Sequence, residues 1–168
     1  MKNLLIITFF ICAVISAQEK NKMITDQKAG KPMLIGACDR SAFADTSFSW
    51  WFNSGYDTYN ADSLSLIELH DRLNGVEITI VMGSWCSDSR REVPRFFKIL
   101  DKLNYDQKGL SLYCVDRDKK EPSGIVEKFS IKLVPTFIIL RNKIELGRIT
   151  ESPEESLEKD LLKITGKR

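Results

Sequence analysis

Apolar and polar positions follow regular periods from about residue 62 to the end of the chain. Apolar residues at three- and four-residue spacing predict helices, and short runs rich in valine, isoleucine and leucine predict strands. The predicted helices cover residues 63–73, 86–103, 123–129 and 153–164, and the predicted strands cover residues 76–83, 110–115, 134–140 and 144–149. The apolar face of the first helix comprises Leu64, Leu66, Ile67, Leu69 and Leu73. The last two strands, joined by the turn Asn142-Lys143, should form an antiparallel hairpin. This order predicts an α/β fold in which helices cover both faces of a central mixed sheet.

The first 17 residues have the pattern of a secretory signal peptide. Lys2 precedes an almost unbroken apolar run over residues 4–15, and the small residues Ser16 and Ala17 come before a polar stretch. The apolar run of about 12 residues is shorter than a membrane-spanning helix requires. Residues 1–17 are therefore predicted to be a cleaved signal, with an uncleaved anchor as the alternative. Export would place the protein in the periplasm or outside the cell, without a stable membrane span after cleavage.

Residues 18–60 form an extension before the regular region. Residues 18–31 are polar and lysine-rich, which predicts a flexible tether. Residues 32–60 carry a dense set of aromatic side chains, some at helical spacing, which predicts a short helix packed on the main domain over residues 61–168. Large aromatic side chains mostly serve burial, and a platform for a partner peptide is the alternative. The aromatic residues are Phe43, Phe48, Trp50, Trp51, Phe52, Tyr56 and Tyr59.

Charge and cysteine content narrow the possible functions. Cleavage after Ala17 leaves 151 residues with 24 basic and 23 acidic side chains. This near-balance, without a basic cluster, argues against nucleic acid as a partner. Three cysteines and one histidine remain, without the spacing of a zinc site, so we expect no metal. An odd number of cysteines in an exported protein implies a free thiol or an intermolecular partner.

Cys86 is the candidate catalytic residue. It follows the predicted strand over 76–83 and begins the predicted helix over 86–103. A helix N-terminus offers unpaired N–H groups and the positive end of the macrodipole, which stabilise a thiolate, and Arg90 lies one turn further on. Ser89 occupies the position where a second cysteine would complete a Cys-x-x-Cys pair. The sequence therefore predicts a redox-type site with a single nucleophile, an inert buried thiol being the alternative.

Four short segments, in this order, resemble the thioredoxin superfamily over about residues 62–165. They are Trp85-Cys86 after a strand, Pro94 within the following helix, Val115-Asp116 at a strand end, and Val134-Pro135-Thr136 before a strand. The resemblance implies a three-layer thioredoxin-like fold with Pro135 in the position of the family's cis-proline. It also implies that the backbone of Val134 and Pro135 pairs with an extended substrate next to Trp85.

The chain departs from the family pattern at three positions. Ser89 replaces the usual second cysteine, and Ile80 stands where many members have a buried acid that moves protons. Glu151 stands where the family has a glycine near the active site. We hypothesise that Glu151 pairs with Arg90 or Arg91 or takes part in proton transfer, the alternative being a solvated carboxylate.

A mixed disulfide on Cys86 needs a second thiol to resolve it, and three outcomes are open. An external thiol would give monothiol chemistry. Cys38 or Cys114 could act from elsewhere in the fold. Cys38, in an irregular and mobile segment, is the better candidate, because Cys114 within a predicted strand is typical of a buried structural cysteine. In the third outcome the adduct persists, which gives a binding or chaperone-like role.

The leading prediction is an exported thioredoxin-like thiol–disulfide exchange protein that acts through Cys86, with Ser89 in place of the resolving cysteine. Its expected partners are protein or peptide thiols and disulfides, or low-molecular-weight thiols, and no cofactor is expected. The alternative is a redox-inactive module of the same fold that binds peptides through the Pro135 edge and the aromatic segment. Peroxide reduction by Cys86 is a third and less favoured interpretation.

Overall fold

The computed structural model describes residues 19–166, so the predicted signal peptide over 1–17 lies outside the described residues. These residues form seven strands and five α-helices, with short 3-10 helices over Arg40–Ala44 and Gln107–Gly109. The strands are β1 (Met23–Asp26), β2 (Lys31–Leu34), β3 (Gly36–Cys38), β4 (Val76–Met82), β5 (Leu110–Cys114), β6 (Thr136–Arg141) and β7 (Ile144–Thr150). The α-helices are α1 (Thr46–Thr58), α2 (Ser63–Arg72), α3 (Ser87–Lys102), α4 (Ile125–Lys128) and α5 (Leu157–Thr165).

The central sheet has five strands in the order β3-β5-β4-β6-β7. β4 and β5 are parallel and are connected through α3, whereas β6 is antiparallel to β4. β6 and β7 form the predicted hairpin, and its turn residues Asn142 and Lys143 both have positive φ, of 51° and 64°. Two successive positive φ values are typical of the type I′ turn that suits the twist of a hairpin. The predicted mixed sheet is therefore confirmed.

Two hydrophobic clusters lie on opposite faces of this sheet. Because side chains of a strand alternate between faces, Phe137 and Ile139 of β6 join one cluster while Ile138 and Leu140 join the other. The first cluster also takes buried side chains from α1, α2, α3 and α5, and the second takes Ile125 from α4. Helices therefore cover both faces of the sheet, as predicted, and the larger core lies on the face of α3.

The N-terminal extension is folded from residue 19 onward, and the prediction of a flexible tether over 18–31 is wrong for residues 19–31. β1 and β2 pair as an antiparallel hairpin. The buried Asp26 carboxylate forms an ion pair with Arg117 at 2.8 Å, and the Leu34 N–H donates to the Ser84 hydroxyl at 3.0 Å. Lysine-rich composition did not indicate this hairpin, because its stabilising partners lie far along the chain. These contacts hold the hairpin against the loop that follows β4.

β3 also corrects an expectation, because the segment around Cys38 is neither irregular nor separate from the main domain. It forms the edge strand of the central sheet and pairs antiparallel with β5, Gly36 opposite Cys114 and Cys38 opposite Leu112. Cys38 is buried, with 6% of its surface exposed. The sheet of the main domain therefore includes part of the extension.

The aromatic segment forms α1, and most of its aromatic side chains are core, as predicted. Phe43 stacks on Phe52 with ring centroids 4.5 Å apart, and both rings are buried. α1 crosses α3 closely at Gly55, where an added Cβ would lie 2.6 Å from Cγ of Pro94. Trp50 differs from its neighbours, because 65% of its surface is exposed.

Two helices differ in detail from prediction. Leu64 and Ile67 were expected on the buried face of α2 but are 78% and 75% exposed, whereas Leu69 is fully buried. The contact face of this helix, which packs on α5, is narrower than the apolar pattern indicates. α5 begins at Leu157, later than predicted, because the Ser156 side chain accepts a backbone hydrogen bond from the first turn and caps the helix.

Candidate active site

Cys86 lies where the chain passes from β4 into α3. It is the N-cap residue of α3, with extended backbone angles of φ −84° and ψ 131°, and its side chain does not cap the helix. The half-buried thiol donates a hydrogen bond to the carbonyl oxygen of Val134 at 3.2 Å. Because the first N–H groups of a helix have no intrahelical acceptor, the start of α3 stabilises negative charge on this sulfur.

Val134 and Pro135 face this cysteine from the segment that precedes β6. The peptide bond between them is cis. The Val134 carbonyl accepts from the Cys86 thiol, and the Pro135 carbonyl accepts from the N–H of Glu151 at 2.7 Å. Leu133, immediately before them, is 43% exposed. The structure therefore brings Cys86 and Val134 into direct contact, with Pro135 next to them.

Ser89 supports the loop before α3 and does not contact the sulfur through a hydrogen bond. Its hydroxyl accepts from the backbone N–H of Gly83 at 3.2 Å, and its side chain is fully buried. The thiol itself is the donor, and it points toward Val134 on the opposite side of the site.

Trp85 is held next to the nucleophile by three contacts. Its indole N–H donates to the carbonyl of Val115 at 2.9 Å, and the Arg117 guanidinium lies 5.1 Å from the centre of the ring. Gly83 leaves room for the ring, because a Cβ at that position would lie 2.6 Å from an indole carbon. The residue types of this loop therefore fix the position of Trp85 beside Cys86.

Arg90 places a cation one helical turn beyond the nucleophile. Its Nε donates to the Ser84 carbonyl at 2.6 Å, and its guanidinium lies 6.0 Å from the ring centre of Trp50. The ion pairs found within residues 19–166 do not include Arg90. Burial lowers the pKa of Arg90, whereas negative charge on Cys86 raises it. The Arg90 guanidinium is therefore a positive charge that interacts favourably with negative charge on Cys86.

Comparison with known proteins supports the family resemblance. The chain matches no protein-family model. Over 82 residues, or 49% of the chain, it is 27% identical to Thioredoxin H2 of Arabidopsis thaliana, and the match spans 57% of that protein. The cis-proline segment facing a cysteine at a strand-to-helix junction agrees with this similarity. The chain has the fold of the thioredoxin superfamily.

Two solved structures are similar to this chain over most of its length. One is a protein of unknown function from Pseudomonas aeruginosa, with a TM-score of 0.56, 16% identity, and coverage of 79% of this chain and 91% of that one. The other is an HIV epitope-scaffold, with a TM-score of 0.54, 15% identity, and coverage of 79% and 92%. At this identity the likeness concerns the fold alone.

Glu151 occupies the expected place near the cis-proline of this thioredoxin fold, but it does not form the expected ion pair. Its φ is 61°, in the left-handed region that favours glycine, which agrees with a family glycine at this position. Within the described part of the chain, Arg91 pairs with Asp88 and Glu92, and Arg90 donates to a carbonyl instead. The hypothesis that Glu151 pairs with either arginine is therefore wrong.

The thioredoxin-fold sheet separates Cys38 from Cys86. Cys38 lies opposite Leu112 of β5, which in turn lies opposite Ile80 of β4. Two strand spacings put Cys38 about 10 Å from Ile80, and Cys86 lies further along the chain. A disulfide requires Cα atoms within about 7 Å. The fold therefore does not bring Cys38 to the nucleophile.

Cys114 is likewise not available to the nucleophile of this thioredoxin fold. It is fully buried within β5, as expected for a structural cysteine. A hydrogen bond with Cys38, together with burial, holds the pKa of the Cys114 thiol well above its usual range. A thiol that is neutral and buried within this strand does not reach a mixed disulfide that forms on Cys86.

Sequence reasoning missed the N-terminal hairpin as a component of the site. A cavity of about 590 Å³ lies between the β1–β2 hairpin and the loop that carries Trp85. Its lining includes Ile24 and Asp26 of β1 together with Trp85 and Arg117. A strand of four residues with one buried side chain has too little periodicity to be found in the sequence.

The described residues contain neither a group of candidate metal ligands nor a membrane-spanning helix. No group of three or more His, Cys, Asp or Glu side chains within residues 19–166 could hold a metal ion. No helix in that range is both long and apolar enough to cross a bilayer.

Proposed function

We propose that this protein is an exported thiol–disulfide exchange protein that uses Cys86 as its single nucleophile. The observation that carries the proposal is the half-buried Cys86 thiol at the N-terminus of α3, in contact with the carbonyl of Val134 beside the cis-proline. Cys114 is fully buried and Cys38 is 6% exposed, so Cys86 is the most accessible of the three thiols among the described residues. The thioredoxin-superfamily fold supports redox chemistry at this position.

The proposed cycle begins when the Cys86 thiol loses its proton to water. The sulfur then attacks one sulfur of a substrate disulfide, so that a Cys86–substrate S–S bond forms and the other substrate sulfur leaves as a thiolate. Ser89 has no thiol to attack this mixed disulfide. An external thiol, such as glutathione, attacks the substrate sulfur and releases the Cys86 thiolate. The protein is neither oxidised nor reduced over the cycle, and one substrate disulfide is exchanged for another.

Three features of the site support formation of the Cys86 thiolate and binding of the substrate disulfide. The free N–H groups at the start of α3 and the Arg90 cation stabilise the thiolate. The Val134 carbonyl loses its donor when the Cys86 thiol is deprotonated, so it offers a backbone acceptor with which a substrate chain can pair. The cavity beside Trp85 leaves room for side chains of that substrate.

Trapping of the mixed disulfide tests the proposal. The full-length chain is incubated with a peptide disulfide, acid-quenched and mapped by mass spectrometry. We expect the peptide on Cys86, no adduct at this site in Cys86→Ala, and an unchanged adduct in the control Cys114→Ala. Added glutathione should then clear the adduct. Absence of an adduct on Cys86 under conditions where glutathione itself reacts would refute the catalytic proposal.

Export rests on the pattern of residues 1–17 and has its own test. When the full chain is expressed in a bacterial cell, N-terminal sequencing of the mature protein should begin at Gln18. Recovery of a chain that still begins at Met1, with all of the protein in the cytoplasm, would rule out a cleaved signal.

A second candidate function is peptide binding without turnover. The observations that favour it are the exposed apolar side chains on either side of the site, Trp50 at 65% and Leu133 at 43% exposure. A cysteine-free apolar peptide would then bind to Cys86→Ala as tightly as to the wild type. Binding of this kind, combined with failure to form the Cys86 adduct, would favour this second function over disulfide exchange.

A further inference from the structure

A second pair of thiols lies in the sheet, apart from Cys86. Cys38 of β3 and Cys114 of β5 are on neighbouring antiparallel strands. Gly36 lies opposite Cys114 and Cys38 lies opposite Leu112, so the two cysteines are diagonal neighbours. Both side chains belong to the same hydrophobic cluster, which places them on the same face of the sheet.

The two thiols affect each other's acidity. A hydrogen bond from Cys114 lowers the pKa of Cys38, whereas the same contact and burial raise the pKa of Cys114. The pair therefore has one sulfur that more readily becomes the thiolate and one that keeps its proton. Such a division suits thiol–disulfide exchange, in which the more acidic thiol attacks first.

Cys38 also has an approach from solvent. It lies in the wall of a cavity of about 400 Å³ whose lining includes Lys20, Arg40 and Asp101. The cavity opens on the side of the edge strand β3, away from the loop that carries Cys86. This cavity would give one end of a disulfide such as oxidised glutathione a route to Cys38 on the side away from the candidate active site.

We propose that Cys38 and Cys114 form an intrachain disulfide, which makes them a thiol pair separate from Cys86. The Cys38 thiolate attacks oxidised glutathione, forms a mixed disulfide and releases one glutathione thiolate. Cys114 then loses its proton and attacks the Cys38 sulfur, which releases the second glutathione. Two protein thiols are thereby oxidised by two electrons, and one glutathione disulfide is reduced to two thiols.

The position of the pair in the fold allows this bond to form. Diagonal neighbours in an antiparallel sheet lie about 7–8 Å apart, slightly beyond the separation of about 7 Å that a disulfide spans. β3, however, is an edge strand of three residues that pairs with β5 on one side. A small shift of β3 would therefore bring the Cα atoms of the two cysteines within the separation that a disulfide spans. The bond would join the N-terminal extension to the main domain. It would also leave Cys86 as the one free thiol among the three cysteines within residues 19–166.

Site-resolved mapping of the full-length chain tests the pair. The folded protein is treated with oxidised glutathione, denatured in the presence of an alkylating reagent, digested without reductant and analysed by mass spectrometry. We expect a linked peptide pair that contains Cys38 and Cys114, and a loss of both residues from the alkylated fraction. A reduced sample, denatured in the same way, should show both residues fully alkylated.

Variants separate this proposal from the function of Cys86. Cys86→Ala should form the Cys38–Cys114 link as the wild type does, whether or not Cys86 proves catalytic. Cys38→Ser and Cys114→Ser should each abolish it. The proposal would be overturned by full alkylation of both residues in the oxidised wild type, by a persistent glutathione adduct on Cys38, or by a Cys38–Cys86 link. Formation of the pair only when the oxidant is added in denaturant would equally overturn it, and these results need no variant to fold.

Discussion

At the scale of single residues, Ser89 shows how the site differs from a two-cysteine site. The side chain sits one turn beyond the nucleophile and faces inward, where its hydroxyl accepts from the Gly83 N–H. A buried N–H without an acceptor costs about 1–3 kcal/mol. Ser89 therefore stabilises the loop that presents Trp85 and Cys86. In the proposed cycle, resolution of the mixed disulfide is left to another molecule.

Replacement of Ser89 by cysteine should convert the site to a self-resolving one. In Ser89→Cys the new thiol lies at the Cys-x-x-Cys spacing, so it can attack the Cys86 mixed disulfide and release the substrate. Because the attack is intramolecular, we expect the adduct lifetime without added glutathione to fall by at least about tenfold. The lifetime is measured by quenching the trapped adduct at intervals and mapping it by mass spectrometry.

Ser87→Cys is the matched control for this experiment. Ser87 is exposed in the first turn of α3 and is adjacent to Cys86 in the chain, so a thiol there has the wrong spacing. Its adduct should last as long as that of the wild type. An equally long-lived adduct in Ser89→Cys would show that the sulfur at position 89 does not reach position 86.

The residues that the sequence predicted well belong to short local motifs. Trp85, Cys86 and Pro135 could be placed because a strand end, a helix start and a proline before a strand are visible in neighbouring residues. Ser89 could be placed on the helix, but its hydrogen-bond acceptor role depends on the path of the preceding loop. The proximity of Cys38 to Cys114 could not be predicted, because it depends on the pairing of two strands that are distant in sequence.

At the scale of elements, length and periodicity decided what could be predicted. The four strands β4 to β7 and the long helices have enough residues for a clear pattern, and their order was predicted correctly. β1, β2 and β3 have three or four residues each and owe their stability to contacts elsewhere in the chain. Such contacts cannot be recognised from neighbouring residues in the sequence. For this reason the prediction of a flexible tether was wrong.

The β1–β2 hairpin should become less stable in acid. The Arg117 side chain, by hydrogen bonding, holds the pKa of Asp26 below its ordinary value of 3.8. A lowered carboxyl pKa contributes stability at higher pH, and this contribution is lost as the pH falls below about 3.8 through the lowered value. Hydrogen exchange of the amides in residues 23–34, relative to those in β4, should therefore accelerate over this range.

Asp26→Asn is the control for the acid effect. It lacks the titrating carboxylate, so its hairpin should exchange faster than that of the wild type at neutral pH and show no further change between pH 5 and pH 3 relative to β4. A wild-type hairpin whose relative exchange does not change over the same interval would show that the Asp26–Arg117 pair does not hold it.

The crossing of α1 and α3 gives a second prediction at this scale. A Cβ in Gly55→Ala would lie 2.6 Å from Cγ and 3.3 Å from Cβ of Pro94, and a proline ring cannot rotate away. Alanine gains about 1 kcal/mol over glycine in helix propensity, but overpacking costs about 1–3 kcal/mol. We therefore expect a net loss of about 1 kcal/mol in the free energy of unfolding, measured in urea.

The exposed neighbour Ser54 supplies the comparison for this variant. Ser54→Ala lies on the same helix away from α3 and should change the free energy of unfolding by less than about 0.5 kcal/mol. If Gly55→Ala were more stable than the wild type, helix propensity would outweigh the contact, and the close crossing of the two helices would be refuted.

At the scale of the whole molecule, the extension and the main domain share one core. Phe43, Phe48 and Phe52 of the extension belong to the same buried cluster as Phe97 of α3 and the strands of the central sheet. β3 adds a strand to that sheet, and the Glu158 carboxylate of α5 accepts from the Tyr59 hydroxyl at 2.9 Å. The boundary expected near residue 60 therefore does not separate two independently packed units.

A shared core predicts that the extension unfolds together with the rest of the protein. Two of the three tryptophans, Trp50 and Trp51, lie in α1, so Trp85→Phe leaves fluorescence that reports on the extension alone. Far-UV circular dichroism of the same sample reports on all helices and strands. Because removal of α1 would expose the aromatic face of α3, we expect the two signals to give the same urea midpoint and a single transition. A fluorescence midpoint at lower urea than the dichroism midpoint would mean that the extension detaches first, and the contacts between α1 and α3 would then be too weak to make the chain one cooperative unit.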